Sequence, residues 1–176
     1  MSINLREAFN KLEAQRGDLL GRLEGVNNAR LNIKPQPGKW SIMQILCHLT
    51  LAERLSLDYL RKKMAGSKEF EKSGVVSAFK TWALKIFLRS PLKFKAPSRA
   101  TDLPDEQTFE DTKTQWDEVR QGLRDAIESF PDEMGDAVVF KHPAVGPMNI
   151  RQMLSFLREH LSRHARQIED NLESLG

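Results

Sequence analysis

Two histidines four residues apart are the side chains of this sequence best placed to do chemistry. His160 and His164 fall in the stretch FLREHLSRHARQ, residues 156–167, whose apolar residues recur at helical spacing. On a helix, positions i and i+4 lie one above the other on the same face. Both imidazoles should therefore point the same way, close enough to bind one metal ion.

A third histidine lies on the predicted inward face of another helix. His48 falls three residues after Ile45 and four before Ala52, on the face of an apolar stripe that comprises Ile42, Ile45, Leu49, Ala52 and Leu55. A single histidine on such a face is more often a hydrogen-bonded core residue than a metal ligand. Burying three imidazoles without partners would, however, cost about 1–3 kcal/mol each. A shared ion removes that cost, and three protein ligands leave coordination positions open for water or substrate.

The residues around these histidines exclude two common helical metal motifs. A zinc peptidase needs a glutamate directly after the first histidine of the pair, and this chain has Leu161 there. A carboxylate-bridged di-iron bundle needs glutamates three residues before its histidines, where this chain has Ile45, Leu157 and Leu161. The sequence therefore favours one divalent ion over two. Three neutral imidazoles suit zinc or nickel, with iron or copper as alternatives.

The remaining sequence predicts an all-α protein, a four-helix bundle with long crossover connections and a short accessory helix. Long amphipathic helices are predicted over residues 2–26, 40–63, 104–130 and 149–175, each with an apolar stripe at helical period. The stripes predicted on the first, third and last of these helices comprise Leu5, Phe9, Leu12, Leu19 and Leu23; Phe109, Thr112, Trp116, Val119, Leu123, Ile127 and Phe130; and Ile150, Met153, Leu154, Leu157, Leu161, His164 and Ile168. The accessory helix is predicted over residues 75–88, and no stretch alternates as a strand does. Residues 31–39 and 92–101 contain prolines and are predicted as connections. Their length favours a crossover bundle over one linked by hairpins.

Capping residues define the predicted helix starts. Ser2 is the predicted N-cap of the first helix, and Ser41 with Gln44 forms a capping-box pattern at the second. Pro104 is predicted in the first turn of the third helix. Asn149, with Gln152 three residues later, is predicted to open the last helix.

Side chains beside the three histidines have predicted roles. Gln167, one turn after His164, could orient that ligand. Glu53 lies about 140° around the helix from His48, which predicts a solvent-facing residue or a salt-bridge partner. Cys47 is predicted to be a small buried hydrophobe. His142 is predicted to lie in a loop, with a place at the rim of a pocket as the alternative.

Composition indicates one soluble globular domain over residues 1–176. Hydrophobic residues make up 40% and charged residues 29%, and the net charge of +3 is close to balance. A single cysteine and the lack of a signal-like start predict a cytoplasmic protein that does not enter a membrane. Nucleic-acid binding is not predicted, because one basic stretch is interpreted as a solvated face. It comprises Lys80, Lys85, Arg89, Lys93, Lys95 and Arg99.

Two motifs resemble the DinB-like superfamily. Residues 38–49, GKWSIMQILCHL, resemble the first metal-ligand helix of that family. His142-Pro143 through Gly146, followed by His160-x-x-x-His164-x-x-Gln167-Ile168, is similar to its last helix. The similarity spans nearly the whole chain in order and length. It implies a crossover four-helix bundle with a metal site in which His48, His160 and His164 take the ligand positions.

The resemblance also implies a range of activities. Members with assigned activities include thiol-dependent S-transferases and isomerases that use mycothiol, bacillithiol or glutathione, and others are named as metal-dependent hydrolases. We therefore expect transfer of a small thiol to an electrophile, which agrees with the lack of an assignable base. The alternatives are a metal-dependent hydrolase and a non-catalytic, metal-binding stress-response bundle. A homodimer with a low-molecular-weight thiol as its partner molecule is also expected from the resemblance.

Overall fold

The computed structural model describes residues 3–66, 103–142 and 146–175. The described chain contains four long helices: α1 over Ile3–Leu23, α3 over Ile42–Gly66, α4 over Phe109–Glu128 and α5 over Ile150–Ser174. A short helix, α2, spans Asn28–Asn32. The predicted all-α four-helix bundle is thus confirmed. The predicted accessory helix, the 92–101 crossover, the basic stretch and the Ser2 cap lie outside the described residues.

The predicted apolar stripes form the core of the bundle. α3 packs against α4 and α5, and α1 packs against α5 and α4. Every stripe residue predicted on α1, α4 and α5 is buried. On α3 only the first part of the predicted stripe is buried, because Ala52 is half-buried and Leu55 is 42% exposed. Within the described chain, no helix is long and apolar enough to cross a bilayer.

Side-chain caps fix where the helices begin. Ser41 and Gln44 form the predicted reciprocal pair, each side chain bonding the other's backbone N–H at 3.1–3.2 Å. Asn149 and Gln152 do the same at the start of α5. The predicted start of α4 near Pro104 is wrong. The N-cap of α4 is Thr108, whose hydroxyl accepts from the Asp111 N–H. Residues 103–107 therefore precede the helix and have no regular secondary structure.

Two small elements were absent from the prediction. α2 occupies part of the predicted 31–39 connector, and the Asn27 side chain caps it. Its Asn32 exchanges two hydrogen bonds with the backbone of Gln107, which holds the segment leading into α4. A two-stranded antiparallel hairpin, β1 over Phe140–His142 and β2 over Gly146–Met148, precedes α5. Strands of three residues are too short to show a period of two in the sequence.

A polar layer separates two apolar clusters of the core. Each long helix contributes one of its halves to one cluster and its other half to the other cluster. Between them, Glu53 receives a bidentate ion pair from Arg120, with N–O distances of 2.6 and 2.8 Å, and accepts from Trp116 Nε1 at 2.9 Å. Arg120 also bonds Glu13 on α1 at 2.7 Å. This network joins α1, α3 and α4 at one level of the bundle.

Candidate metal centre

The structure brings together the three histidines predicted as ligands. His48 lies near the start of α3, and His160 and His164 lie one turn apart on α5. His48 and His164 are buried, and His160 is half-buried. One ring nitrogen of each lies within 4.8 Å of the others. The closest approach is 3.2 Å, between Nε2 of His48 and Nε2 of His160.

One of the three nitrogen separations matches coordination of a single ion, and all three are within 4.8 Å. Zinc–imidazole bonds of about 2.0–2.1 Å in tetrahedral geometry separate two ligand nitrogens by about 3.3 Å. The 3.2 Å separation of the His48 and His160 nitrogens therefore lies close to the edge of such a tetrahedron. In the described part of the chain, this is the only group of three or more histidine, cysteine, aspartate or glutamate side chains with such spacing. The donor set fits a transition-metal ion.

Gln167 determines which nitrogen His164 offers. Its carbonyl Oε1 lies 3.0 Å from His164 Nδ1. A carbonyl oxygen only accepts, so Nδ1 carries the proton and donates, leaving the lone pair on Nε2. Such a partner fixes both the tautomer and the ring orientation of a metal-binding histidine. The predicted orienting role of Gln167 agrees with this contact.

Burial keeps two of the imidazoles neutral. It lowers the pKa of His160 well below the ordinary 6.5, helped by the neighbouring imidazoles and the Arg163 guanidinium. Burial likewise lowers the pKa of His164 to about 3, with His48 and Arg163 adding to the shift. Neutral imidazoles have a free lone pair, which metal binding requires. These two side chains are therefore ready to bind a cation near neutral pH without first losing a proton.

Aromatic side chains flank the three histidines in both directions along the bundle. The Trp40 ring lies 4.9 Å from that of His48 and 6.4 Å from that of His164, measured between centroids. Towards the start of α5, Phe156 lies nearly parallel to His160 at 5.3 Å. Neither residue was predicted at the site from the sequence. The sequence could have indicated Phe156, because it precedes His160 by one helical turn and therefore lies on the same face of the helix.

Four other residues with predicted roles lie outside the group of three histidines. Glu53 is the predicted salt-bridge partner and is buried, so the solvent-facing alternative is wrong. Gln44 has the predicted capping role. Cys47 is half-buried rather than fully buried, with its sulfur 3.8 Å from the Thr112 hydroxyl. His142 belongs to strand β1 rather than to a loop, and its ring meets Phe156 edge-on at 4.6 Å.

Comparisons with known proteins agree with this arrangement. The model of the DinB superfamily matches residues 11–168, which confirms the resemblance noted in the motifs. An uncharacterized protein, YuaE from Bacillus subtilis (strain 168), is 29% identical over 153 residues, covering 87% of this chain and 90% of YuaE.

Two solved structures share the fold at low identity. TT2238, described as a four-helix bundle protein, has a TM-score of 0.61 at 19% identity, over 94% of this chain and 98% of its own. YfiT from Bacillus subtilis has a TM-score of 0.63 at 12% identity, over 98% of this chain and 89% of its own. YfiT is described as "a probable metal-dependent hydrolase with an unusual four-helix bundle topology".

Proposed function

This chain belongs to the DinB superfamily, and we propose on that premise that it is a metal-dependent enzyme that transfers a small thiol to an electrophile. His48, His160 and His164 hold one divalent transition-metal ion, with zinc or nickel preferred and iron as an alternative. The observation that carries the proposal is the convergence of the three ring nitrogens within 4.8 Å. A bound divalent ion supplies Lewis acidity, which lowers the pKa of a thiol or of a water molecule.

The side chains around the ligands prepare them for that chemistry. Gln167 holds the His164 ring in one tautomer, so Nε2 stays directed to the ion. Trp40 packs against His48, and Phe156 packs against His160, so two ligand rings have apolar neighbours. A site with less water strengthens the electrostatic effect of a bound cation.

The lack of an available carboxylate at the cluster, among the described residues, favours a thiol over water as the nucleophile. The histidine cluster contains no carboxylate within the described residues. In the described chain, two buried carboxylates lie near the ligands in the sequence. Glu53 is occupied by Arg120 and Trp116. Glu159, which directly precedes His160, is paired with Arg158 at 3.3 Å. A water nucleophile commonly needs a positioned base, whereas an ionised thiol is already the nucleophile. The hydrolase alternative remains because YfiT, which shares the fold, is described as a probable metal-dependent hydrolase.

Metal analysis of protein purified without a histidine tag tests the ligand set. We expect about one equivalent of zinc or nickel after loading, since three ligands and open positions define one site. His160→Ala should abolish stoichiometric binding. His142→Ala is the matched control, since it removes a nearby imidazole that is outside the cluster. Less than about a tenth of an equivalent in the unsubstituted protein would overturn the metal site, and unchanged binding in His160→Ala would overturn the ligand set.

Product analysis then separates the catalytic alternatives. The metal-loaded protein is incubated with an alkylating electrophile and a panel of small thiols, and separately with ester and amide substrates. Faster thioether formation with the metal-loaded protein than with metal-free protein supports the transferase. Faster hydrolysis alone supports the hydrolase. Metal binding without either acceleration supports the non-catalytic binding module. The expected homodimer is tested on the same samples by analytical ultracentrifugation.

A further inference from the structure

The indole of Trp40 lies beside two of the three proposed ligands. Its centroid is 4.9 Å from that of His48, with the rings tilted by 43°, and 6.4 Å from that of His164, with the rings at 28°. Trp40 is half-buried and packs against one of the two apolar clusters of the core. The indole therefore borders the histidines where the chain enters α3.

The backbone of Trp40 is fixed by structure on both sides. Before it, a turn closed by the Lys39 N–H contains Gly38, whose φ of 75° is a conformation that glycine adopts readily. After it, Ser41 opens the capping box of α3. Only a short stretch of chain between a turn and a cap thus carries the indole.

A further contact with Trp40 comes from α5, the helix that carries two of the proposed ligands. The side-chain amide of Asn171 donates to the Trp40 carbonyl at 3.0 Å, and Asn171 is only 7% exposed. Asn171 lies about two helical turns after His164 and therefore on the same face of α5. One face of α5 thus carries a proposed ligand, its hydrogen-bond partner Gln167 and the amide that fixes Trp40.

Ion binding would change the charge of the imidazole beside this indole. A neutral imidazole acquires positive charge when a divalent ion binds its lone pair. An aromatic ring attracts a cationic group within about 6 Å of its centroid, and tryptophan does so most strongly. His48 lies within this distance of Trp40. The indole would therefore stabilise the ion-bound state more than the metal-free one.

We propose that Trp40 and Asn171 are positioning residues of the metal centre that strengthen ion binding through His48. The indole attracts the positive charge that the ion places on the His48 ring. Asn171 acts through Trp40, because its amide fixes the backbone from which the indole extends. This inference rests on the proposed metal site and does not depend on which substrate the ion activates.

Competition with a chromophoric chelator for zinc, at fixed pH, tests the role of the indole. Trp40→Leu, which has no aromatic face, should raise the zinc dissociation constant about three- to tenfold. Fluorinated tryptophan at position 40 keeps nearly the same shape and weakens the negative face of the ring. The dissociation constant should rise with each added fluorine, a trend that a role in packing alone would not produce.

A double-mutant cycle tests the route from Asn171 through Trp40. Asn171→Leu removes the amide donor at similar volume and should weaken zinc binding by up to the same factor as Trp40→Leu. Added to Trp40→Leu, it should cause no further weakening, because the indole through which it acts is already absent. Urea unfolding of the metal-free variants shows whether any weakening arises from loss of the fold.

The outcomes separate this inference from the proposed function. A zinc dissociation constant that stays the same across the fluorinated series would overturn the role of the indole and leave the metal site intact. Full additivity of Trp40→Leu and Asn171→Leu would overturn the route through Trp40. A lack of zinc binding by the unsubstituted protein would overturn the metal site itself.

Discussion

Replacing Gln167 by alanine removes the hydrogen-bond acceptor of His164 and leaves all three proposed ligands in place. In the unsubstituted protein, His164 Nδ1–H donates to Gln167 Oε1 at 3.0 Å. Without this bond, the imidazole can carry its proton on Nε2, the nitrogen proposed to bind the ion, and the ring is free to rotate. Removing such a partner typically weakens metal binding 10- to 100-fold, or about 1.4–2.8 kcal/mol. We expect a change of that size for Gln167→Ala.

Competition with a chromophoric chelator measures this change at fixed pH. The zinc dissociation constant of Gln167→Ala should rise about 10- to 100-fold, with the stoichiometry still close to one. Gln167→Glu is the matched control, since it retains an oxygen acceptor at the same position and adds a negative charge beside the imidazole. Its zinc affinity should equal or exceed that of the unsubstituted protein.

Two results would refute this reasoning about Gln167. An unchanged zinc affinity in Gln167→Ala would show that the hydrogen bond to His164 does not orient a ligand. Weak binding by Gln167→Glu as well as by Gln167→Ala would show that the amide acts in some other way than as an acceptor. Thermal denaturation of both metal-free variants shows whether any weakening arises from unfolding.

Three further predictions concern stability. Glu53→Ala leaves Arg120, which is 2% exposed, without its bidentate partner. The free energy of unfolding, measured in urea, should fall by about 3–5 kcal/mol. A fall of less than about 1 kcal/mol would contradict a stabilising role of the buried ion pair. Asn149→Ala removes the capping box of α5 and should cost about 1 kcal/mol in the same assay, with Asn149→Asp as a control that retains the cap. Metal-free protein should lose stability as pH falls below 6.5, because the pKa of His164 is lowered to about 3 only in the folded chain, so the unfolded chain binds more protons. His164 contributes up to about 1.4 kcal/mol per pH unit to this loss. Urea unfolding at about pH 7 and pH 5 should show a smaller change in the free energy of unfolding for His164→Ala than for the unsubstituted protein. An equal change in both proteins would contradict the lowered pKa of His164.

Helical periodicity was sufficient to predict most of what positions the site. The stripes on α1, α4 and α5 predicted buried faces that the structure contains. The same reasoning placed His48, His160 and His164 on inward faces, and the bundle brings their nitrogens together. Periodicity succeeds here because each residue's face depends on its own helix alone. The capping pairs at the starts of α3 and α5 were predicted for the same reason, since both partners lie within one turn.

Features that depend on contacts between distant segments could not be predicted in this way. Glu53 is buried because Arg120, 67 positions away, approaches from α4, and nothing in the local pattern around Glu53 indicates that partner. Leu55 lies on the predicted stripe but is 42% exposed, because the face of α3 that meets its neighbours does not follow the stripe to its end. The hairpin around His142 was missed because three-residue strands carry no usable period.

Two of the buried polar clusters in the described residues differ in their chemistry: one pairs opposite charges, and the other consists of imidazoles. The Glu53 carboxylate accepts three hydrogen bonds, two from Arg120 and one from Trp116. Each is a direct protein contact, so this network ties helices together but offers a ligand little. At the histidine cluster, Nε2 of His48 faces Nε2 of His160 at 3.2 Å. One Nε2–H can donate to the other Nε2 at this distance, and a cation bound by both lone pairs would replace that hydrogen bond. The histidine cluster is therefore the proposed cation site, whereas the ion pairs of the polar layer join the helices around it.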